Sequence, residues 1–253
     1  MVVLAVPYHL DERLGFFDVG VLAEGQITAE LGSGTAWQRM AVLYEQVADV
    51  IAGQSTPPLV LSGDCTTSLA VLAGLQRAGH DLGVVWFDAH ADFHTEATTT
   101  SGYLGGMPLA LAAGVGTPTL PDLLGLRPVP ESQILLVDGR DTDPGEHALL
   151  DASAVRRQSV LGLRPDDLPE GDLHVHLDVD VFDPRHVPGL LYPVTGGPSV
   201  QAVLDALTLI LATGRVAAVG VAATWHHVRQ EAAAHQEFLR HVLQVTQFVD
   251  GSG

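Results

Sequence analysis

The densest chemistry in this sequence lies in WFDAHADFHT, Trp86 to Thr95, where an apolar run gives way to Asp88, His90 and Asp92 at every second position. Side chains alternate along an extended chain, so if the strand geometry continues all three point the same way. Two carboxylates and an imidazole converging at one point make a mixed oxygen and nitrogen site that suits Mn²⁺, Fe²⁺ or Zn²⁺. A second run, LHVHLDVDVFDP at Leu173 to Pro184, ends alike: Asp178 and Asp180 stand two residues apart, Asp183 lies in the turn, and His174 and His176 share one face. Four carboxylates on two neighbouring strand ends would repel one another by several kcal/mol in a partly buried cleft, on the order expected for close like charges. Cations resolve that conflict most simply.

Either segment alone admits a plainer reading, because Asp is common in loops and helix caps after strands, and a lone D-x-D is a weak motif. Together, and with the D-x-H-x-D spacing, they favour metal. The remaining histidines, including His147, His186, His235 and His241, lack such company and read as surface or packing residues.

These acids need strand ends to carry them. Apolar, often β-branched runs recur at Val2 to Val6, Leu59 to Leu61, Val84 to Phe87, Ile134 to Val137, Val175 to Leu177 and Val216 to Val221. Helical spacing of apolar residues separates them, near Ala36 to Ile51, Thr67 to Arg77, Met107 to Ala113, Ser199 to Ala212 and Glu231 to Gln247. This is the βαβ rhythm of a parallel sheet with helices on both faces, and it predicts a three-layer α/β/α fold with the site at the strands' carboxyl edge. Pro and Gly cluster between elements, as at Pro118 to Pro130 and Gly196-Gly197-Pro198, and read as loops within one domain spanning residues 1–253. The tail from Asp250 to Gly253 is expected to fray.

Hydrophobic residues make up 47% of the chain and charged residues 17%, enough for a large core. A formal charge of −18 opposes nucleic acid and anionic membranes as partners. The single cysteine, Cys65, cannot form an internal disulfide, and MVVLAVPYHLDERLG has no basic segment followed by a long apolar one, so a cytoplasmic protein is expected. No apolar run reaches the roughly 20 residues of a membrane span.

With these residues in place, the chain resembles the arginase family of manganese-dependent ureohydrolases, which includes agmatinase-like and formimidoylglutamate-hydrolysing enzymes. The resemblance runs from about Leu59 to Ser199. It is carried by SGDC at Ser62, DAHAD at Asp88, TTTSGYLGGMP at Thr98, GRDTDPGEH at Gly139, DVDVFDP at Asp178 and PVTGGPS at Pro193. It implies two Mn²⁺ ions bridged by Asp88 and Asp178, with Asp92 completing the ligands of the first ion and His90 and Asp180 those of the second. Catalytic roles fall to Asp92 and His90, and a hydroxide between the ions attacks a guanidine or amidine carbon. The resemblance also implies a small-molecule substrate and a homo-oligomer, a trimer or hexamer.

Several positions depart from that pattern. Where the family's first motif normally ends in a metal-binding histidine, this chain has Cys65; a thiolate can ligate, and its softness would tilt the site toward Zn²⁺ or Fe²⁺, the plainer reading being a buried inert cysteine beside a five-ligand site. The family's proton-shuttling histidine is replaced by Gly105. The late glutamate that grips a guanidinium has no counterpart in VGVAATWHH, where Ala223 or Thr224 takes its place. Conversely, Asp143 and Glu146 match acids that recognise a substrate α-amino group, although a turn held by Asp capping and an Arg140–carboxylate contact explains the same segment. His94, Ser101 and Tyr103 surround the expected carboxylate pocket. Trp225 offers a face for a planar cation and His226 or His227 a proton relay, packing against the sheet being the plainer reading.

The expectation is therefore a dinuclear hydrolase cleaving a C–N bond of an arginine-like or modified-arginine substrate such as the N-hydroxy form. The alternatives are an amide or formimino hydrolase on the same metals, or a catalytically weak metal-binding member with a scaffold or regulatory role.

Overall fold

The six apolar runs expected as strands become the six inner strands of an eight-stranded, wholly parallel sheet. In the computed structural model, which describes residues 1–247, the strands are β1 (Val3–Val6), β2 (Tyr8–His9), β3 (Glu12–Arg13), β4 (Gly25–Gln26), β5 (Leu59–Ser62), β6 (Leu82–Asp88), β7 (Ile134–Asp138), β8 (Arg156–Gln158), β9 (Asp172–Asp178) and β10 (Val216–Ala222). The tail expected to fray lies outside the described residues. The main sheet runs β4-β1-β5-β10-β9-β6-β7-β8, and β2 and β3 form a separate short hairpin. The helices are α1 (Ala36–Ala52), α2 (Thr67–Arg77), α3 (Pro108–Ala112), α4 (Thr119–Leu124), α5 (Pro144–Ala152), α6 (Val200–Leu211) and α7 (Ala232–Gln247).

Alternation along each strand sends apolar side chains to both faces, which is why two cores form. One joins Val6, Val60, Val84, Trp86 and Leu136 to α1 through α4. The other joins Ala5, Leu61, Phe87, Val175 and Val221 to α6 and α7. Helix α1 starts on a capping box in which Thr35 and Gln38 exchange side-chain and backbone bonds. It packs closely on α2 because Gly74 has no side chain; a Cβ there would lie 2.6 Å from the Ala48 carbonyl oxygen.

Topology places the site. The chain lays β1 and β5, crosses to β6, β7 and β8, then returns to insert β9 and β10 into the gap. The carboxyl ends of β5, β10, β9 and β6 therefore stand side by side at a change of strand order, where open α/β sheets bind ligands. Phe87 pairs with Leu177, and Ala222 with both Asp178 and Ser62, so the residues that follow emerge at one level. Among the described residues, no helix is long and apolar enough to cross a membrane.

Asp18 ties the amino-terminal loops to the last helix. Fully buried, it accepts from the Trp225 indole at 3.3 Å and from Nδ1 of His227 and His235 at 2.7 and 2.6 Å. His235 is thus a packing residue with a carboxylate partner, whereas His147, His186 and His241 lie on the surface. Trp225 is buried and stacked on His235, 4.0 Å between ring centroids, so it presents no face to the cavity described below. Burial pushes the Asp18 carboxyl up, but the two imidazole bonds more than offset this and hold it well below the usual carboxylate range. The folded state therefore favours the anion, and its contribution is complete above the unfolded pKa near ~4 and lost as pH falls below it. Asp18→Asn is expected to lose about 3 kcal/mol at pH 7, by the cost of breaking a buried charged network. Urea midpoints of the two proteins should converge as the pH is lowered from 5 toward 3; a constant gap would show that the carboxylate charge is not what stabilises.

Candidate metal centre

Asp88 is the last residue of β6, and there the extended geometry stops. The three side chains of the D-x-H-x-D motif converge through a loop, not through strand alternation. Asp88 Oδ1 accepts the His90 backbone N–H at 2.8 Å, an Asx-type turn, and Asp92 adopts a left-handed φ of 50°. The Asp92 carbonyl is held by the N–H groups of Leu109 and Ala110 at the start of α3. On β9 the same device recurs, since Asp178 Oδ1 accepts from the Asp180 N–H at 2.8 Å and turns the chain at the strand end. Asp183 does not join them: it clamps the following loop through Arg185 and the Gly196 N–H.

The structure brings together every metal candidate of the sequence. His90 Nδ1 lies 3.1 Å from Asp180 Oδ2 and 3.4 Å from Asp88 Oδ1. Cys65 Sγ, on the loop between β5 and α2, donates to Asp178 Oδ2 at 2.7 Å. Thr224, just past β10, donates to the other Asp178 oxygen. Asp92 Oδ2 is buried with no hydrogen-bond partner. Cys65, His90, Asp92, Asp178, Asp180 and Thr224 line a cavity of about 260 Å³, and Asp88 is buried against His90.

Its electrostatics are those of a cation site. Burial, together with the charges of Asp88 and Asp178, holds the Asp92 carboxyl well above its usual range. Burial and the Asp180 and Asp88 charges do the same to Asp178. Asp180 is pushed up to about 7, chiefly by burial and Asp88. Burial also opposes the Asp88 charge, but His90 outweighs it and keeps that carboxyl low. His90, although burial works against its charge, is pushed up to about 12 by bonds to Asp180 and Asp88. The imidazolium thus acts as the local cation, and a bound metal would replace its proton. A carboxylate cluster with an orphaned Asp92 oxygen, an imidazole and a thiol is a donor set that fits divalent ions.

The wall of the cavity carries the expected substrate residues. Glu146 accepts from the Phe93 N–H at 2.8 Å, and burial raises its carboxyl above the usual range. Asp143 begins α5 without a side-chain capping bond, and its carboxylate stands 3.5 Å from His94 Nε2. Arg140 does make the contact anticipated for a structural turn, to Asp138, and it also holds the Val181 and Val194 carbonyls at 3.0 and 2.8 Å. Ser101 and Tyr103 face the same space. A Cβ at Gly105 would collide with the Tyr103 ring, so the tyrosine fills the room that a side chain at position 105 would take. Its hydroxyl lies 3.1 Å from His9 Nε2. His9, Tyr192 and Asp141 were not legible as site residues, and the β2–β3 hairpin that delivers His9 has no motif of its own.

A parallel α/β sheet with candidate ligands for a pair of cations at the carboxyl ends of its central strands defines the class. The chain belongs to the arginase family, whose sequence model matches residues 3–224. It is 35% identical to the arginase of Bacillus subtilis (strain 168) over 157 residues, 57% of this chain and 53% of that protein. It is 33% identical to the N(omega)-hydroxy-L-arginine amidinohydrolase of Streptomyces lavendulae over 183 residues, 68% of this chain and 63% of that protein. Sequence matches to the first of these curated relatives thus span little more than half of their length. Among solved structures, a Bacillus subtilis arginase superposes with a TM-score of 0.84 at 23% identity, covering 97% of this chain and 98% of that one. The expected fold is therefore found.

Proposed function

We propose that the protein hydrolyses a C–N bond of a guanidino compound with an α-amino-acid end, using divalent ions held by Asp88, His90, Asp92, Asp178, Asp180 and Cys65. The observation that carries this reading is the convergence of Cys65, His90, Asp92, Asp178 and Asp180 on one cavity, with Asp88 against His90, where Asp143, Glu146 and His94 also line the wall. Bound ions would supply an acidified water and a clamp for the attacked group. The residues do the rest. Asp143, exposed and uncapped, offers its charge to an α-ammonium group; Ser101 and Tyr103 offer hydroxyls to the adjoining carboxylate. Water adds to the central carbon and the amine of the side chain leaves with a proton, beside the Tyr103 hydroxyl that His9 Nε2 holds at 3.1 Å on the cavity wall. The same reading includes two divalent ions, Mn²⁺ with Zn²⁺ or Fe²⁺ as the alternative that Cys65 favours, a homo-oligomer and a cytoplasmic setting.

Thr224 bears on the substrate's charge. It is neutral, buried and committed to Asp178, so the end of β10 offers no carboxylate to grip a guanidinium. An N-hydroxy substituent withdraws electrons and makes the guanidine less basic, which lowers the penalty of entering such a floor. With Mn²⁺ present, N-hydroxy-L-arginine should release hydroxyurea with kcat/KM at least about tenfold above the urea-releasing reaction of L-arginine, the effect of one charge-assisted contact. Turnover of amides or formimino compounds without any turnover of guanidines would reject this reading.

A further inference from the structure

His176 is unused by the site as described so far. It sits on β9 two residues before Asp178 and points to the α2 side of the sheet, as does His174. It is 1% exposed, and its Nε2 has no hydrogen-bond partner. Nδ1 is engaged by Ser68 Oγ at 2.8 Å, and the same hydroxyl lies 3.2 Å from His174 Nε2. The Trp86 indole stacks on the His176 ring, 3.6 Å between centroids and 24° between planes, while its N–H donates to Asp88 Oδ2 at 3.1 Å. One donor atom from each of Cys65, Asp88 and His176 lies within 4.8 Å of the other two, a separate group from Asp88, His90 and Asp180.

We infer that His176 Nε2 and Cys65 Sγ together form a soft half of the metal centre, a thiolate and imidazole pocket that shares Asp88 with the carboxylate-rich half and selects Zn²⁺ or Fe²⁺ over Mn²⁺. The inference rests on the proposed dinuclear reading and assigns the ligands of one of its two ions. Cys65, which follows β5, has no imidazole at its own position, and His176 supplies one from β9, on the far side of β10. Ser68 provides for a bare nitrogen: when Nδ1–H of His176 donates to Ser68 Oγ and the serine hydrogen goes to His174 Nε2, the Nε2 lone pair of His176 is free, and metal binding selects that tautomer. This is the outer hydrogen bond that orients ligating histidines generally. Gly220 on β10 leaves room for the relay, since a Cβ there would meet His174 and Ser68 at 3.3 Å. Ligands around one tetrahedral zinc lie roughly 3.3 to 3.8 Å apart, so small side-chain movements close the group. Ligation at sulfur releases the thiol proton, now directed at Asp178, to solvent. Sulfur and nitrogen donors favour the softer ions, and carboxylates the harder.

The test uses Co²⁺ as a spectroscopic substitute in the full-length, metal-stripped protein. Two equivalents should bind, one of them with a near-ultraviolet sulfur-to-cobalt charge-transfer band. Cys65→Ser should lose the band, and His176→Ala should weaken the first equivalent by more than about 100-fold; Ser68→Ala should keep the band and weaken binding about 10- to 100-fold, as outer partners do. Should His176→Ala fail to fold, zinc X-ray absorption on the unaltered protein answers the same question, through one sulfur and imidazole scattering at one ion. Two bound Co²⁺ ions without the band, or zinc with oxygen and nitrogen neighbours only, would overturn the inference and leave the dinuclear reading intact. No Co²⁺ uptake at all would overturn both.

Discussion

Replacing Asp88 by alanine is expected to remove both ions and to lower turnover by at least about 10³-fold, the scale of losing an activated nucleophile, while leaving a folded but less stable protein. Asp88 belongs to both ligand groups, so neither half of the centre survives its loss. The stability effect follows from what else the carboxylate does. It accepts from the Trp86 indole at 3.1 Å and the His90 N–H at 2.8 Å, and both donors would be left unpaired near the core. Its charge is favoured in the folded chain: burial opposes it, but His90 more than compensates, so the folded pKa is depressed. Such a group stabilises above its unfolded pKa, and removing it costs about 1 to 3 kcal/mol at neutral pH. At about 2 to 4 °C per kcal/mol for a chain of this size, the metal-free variant should melt roughly 5 °C lower. Metal analysis of protein purified without chelator, beside a melting curve, checks both parts. Unchanged metal content would refute the assignment of Asp88.

How much of this was legible beforehand depends on the length scale of each signal. The inner strands and long helices were, because four or more apolar residues in period dominate local energetics; α2, expected over Thr67 to Arg77, has those bounds. Edge strands were not. Gly25–Gln26 and the Arg156–Gln158 segment RRQ pair on one side only and carry no apolar alternation. Helix α4, Thr119–Leu124, reads as loop in the sequence because Pro118 and Pro121 flank or enter its six residues. Asp143-Pro144-Gly145-Glu146 reads in retrospect as a helix start, with Pro at the first helical position and an acid in the first turn, yet its match to a substrate-binding motif hid α5. In the site, Asp88 and Asp178 were legible because they end strands. The contributions of His9, Ser68 and His176 were not, because each depends on a long-range juxtaposition: His176 shares a face with His174 by alternation, but only the packing of α2 against β9 brings Ser68 between them.

Asp92→Asn is expected to give the opposite stability result from Asp88→Ala although the two acids belong to one motif. Asp92 Oδ2 has no partner, and burial with the nearby Asp88 and Asp178 charges raises its carboxyl well above the ordinary value. A folded-state pKa above the unfolded one means that folding disfavours the anion. The penalty is absent below about pH 4 and grows as pH rises toward neutrality. Asparagine escapes it: the amide is neutral, can donate to a neighbouring carboxylate, and tolerates the left-handed φ of 50° better than most residues. The metal-free variant should therefore gain about 1 to 2 kcal/mol at pH 7, some 4 °C in Tm, with little gain at pH 4. It should also lose most of its affinity for one ion and most of its turnover. Added metal stabilises the original protein by RT ln(1 + [L]/Kd), so the order of melting temperatures should reverse as Mn²⁺ or Zn²⁺ is titrated in. A variant that melts below the original protein in chelator would show that Asp92 is structurally satisfied and not held in waiting for a cation; curves that cross with metal concentration are what a site strained toward its ligand must produce.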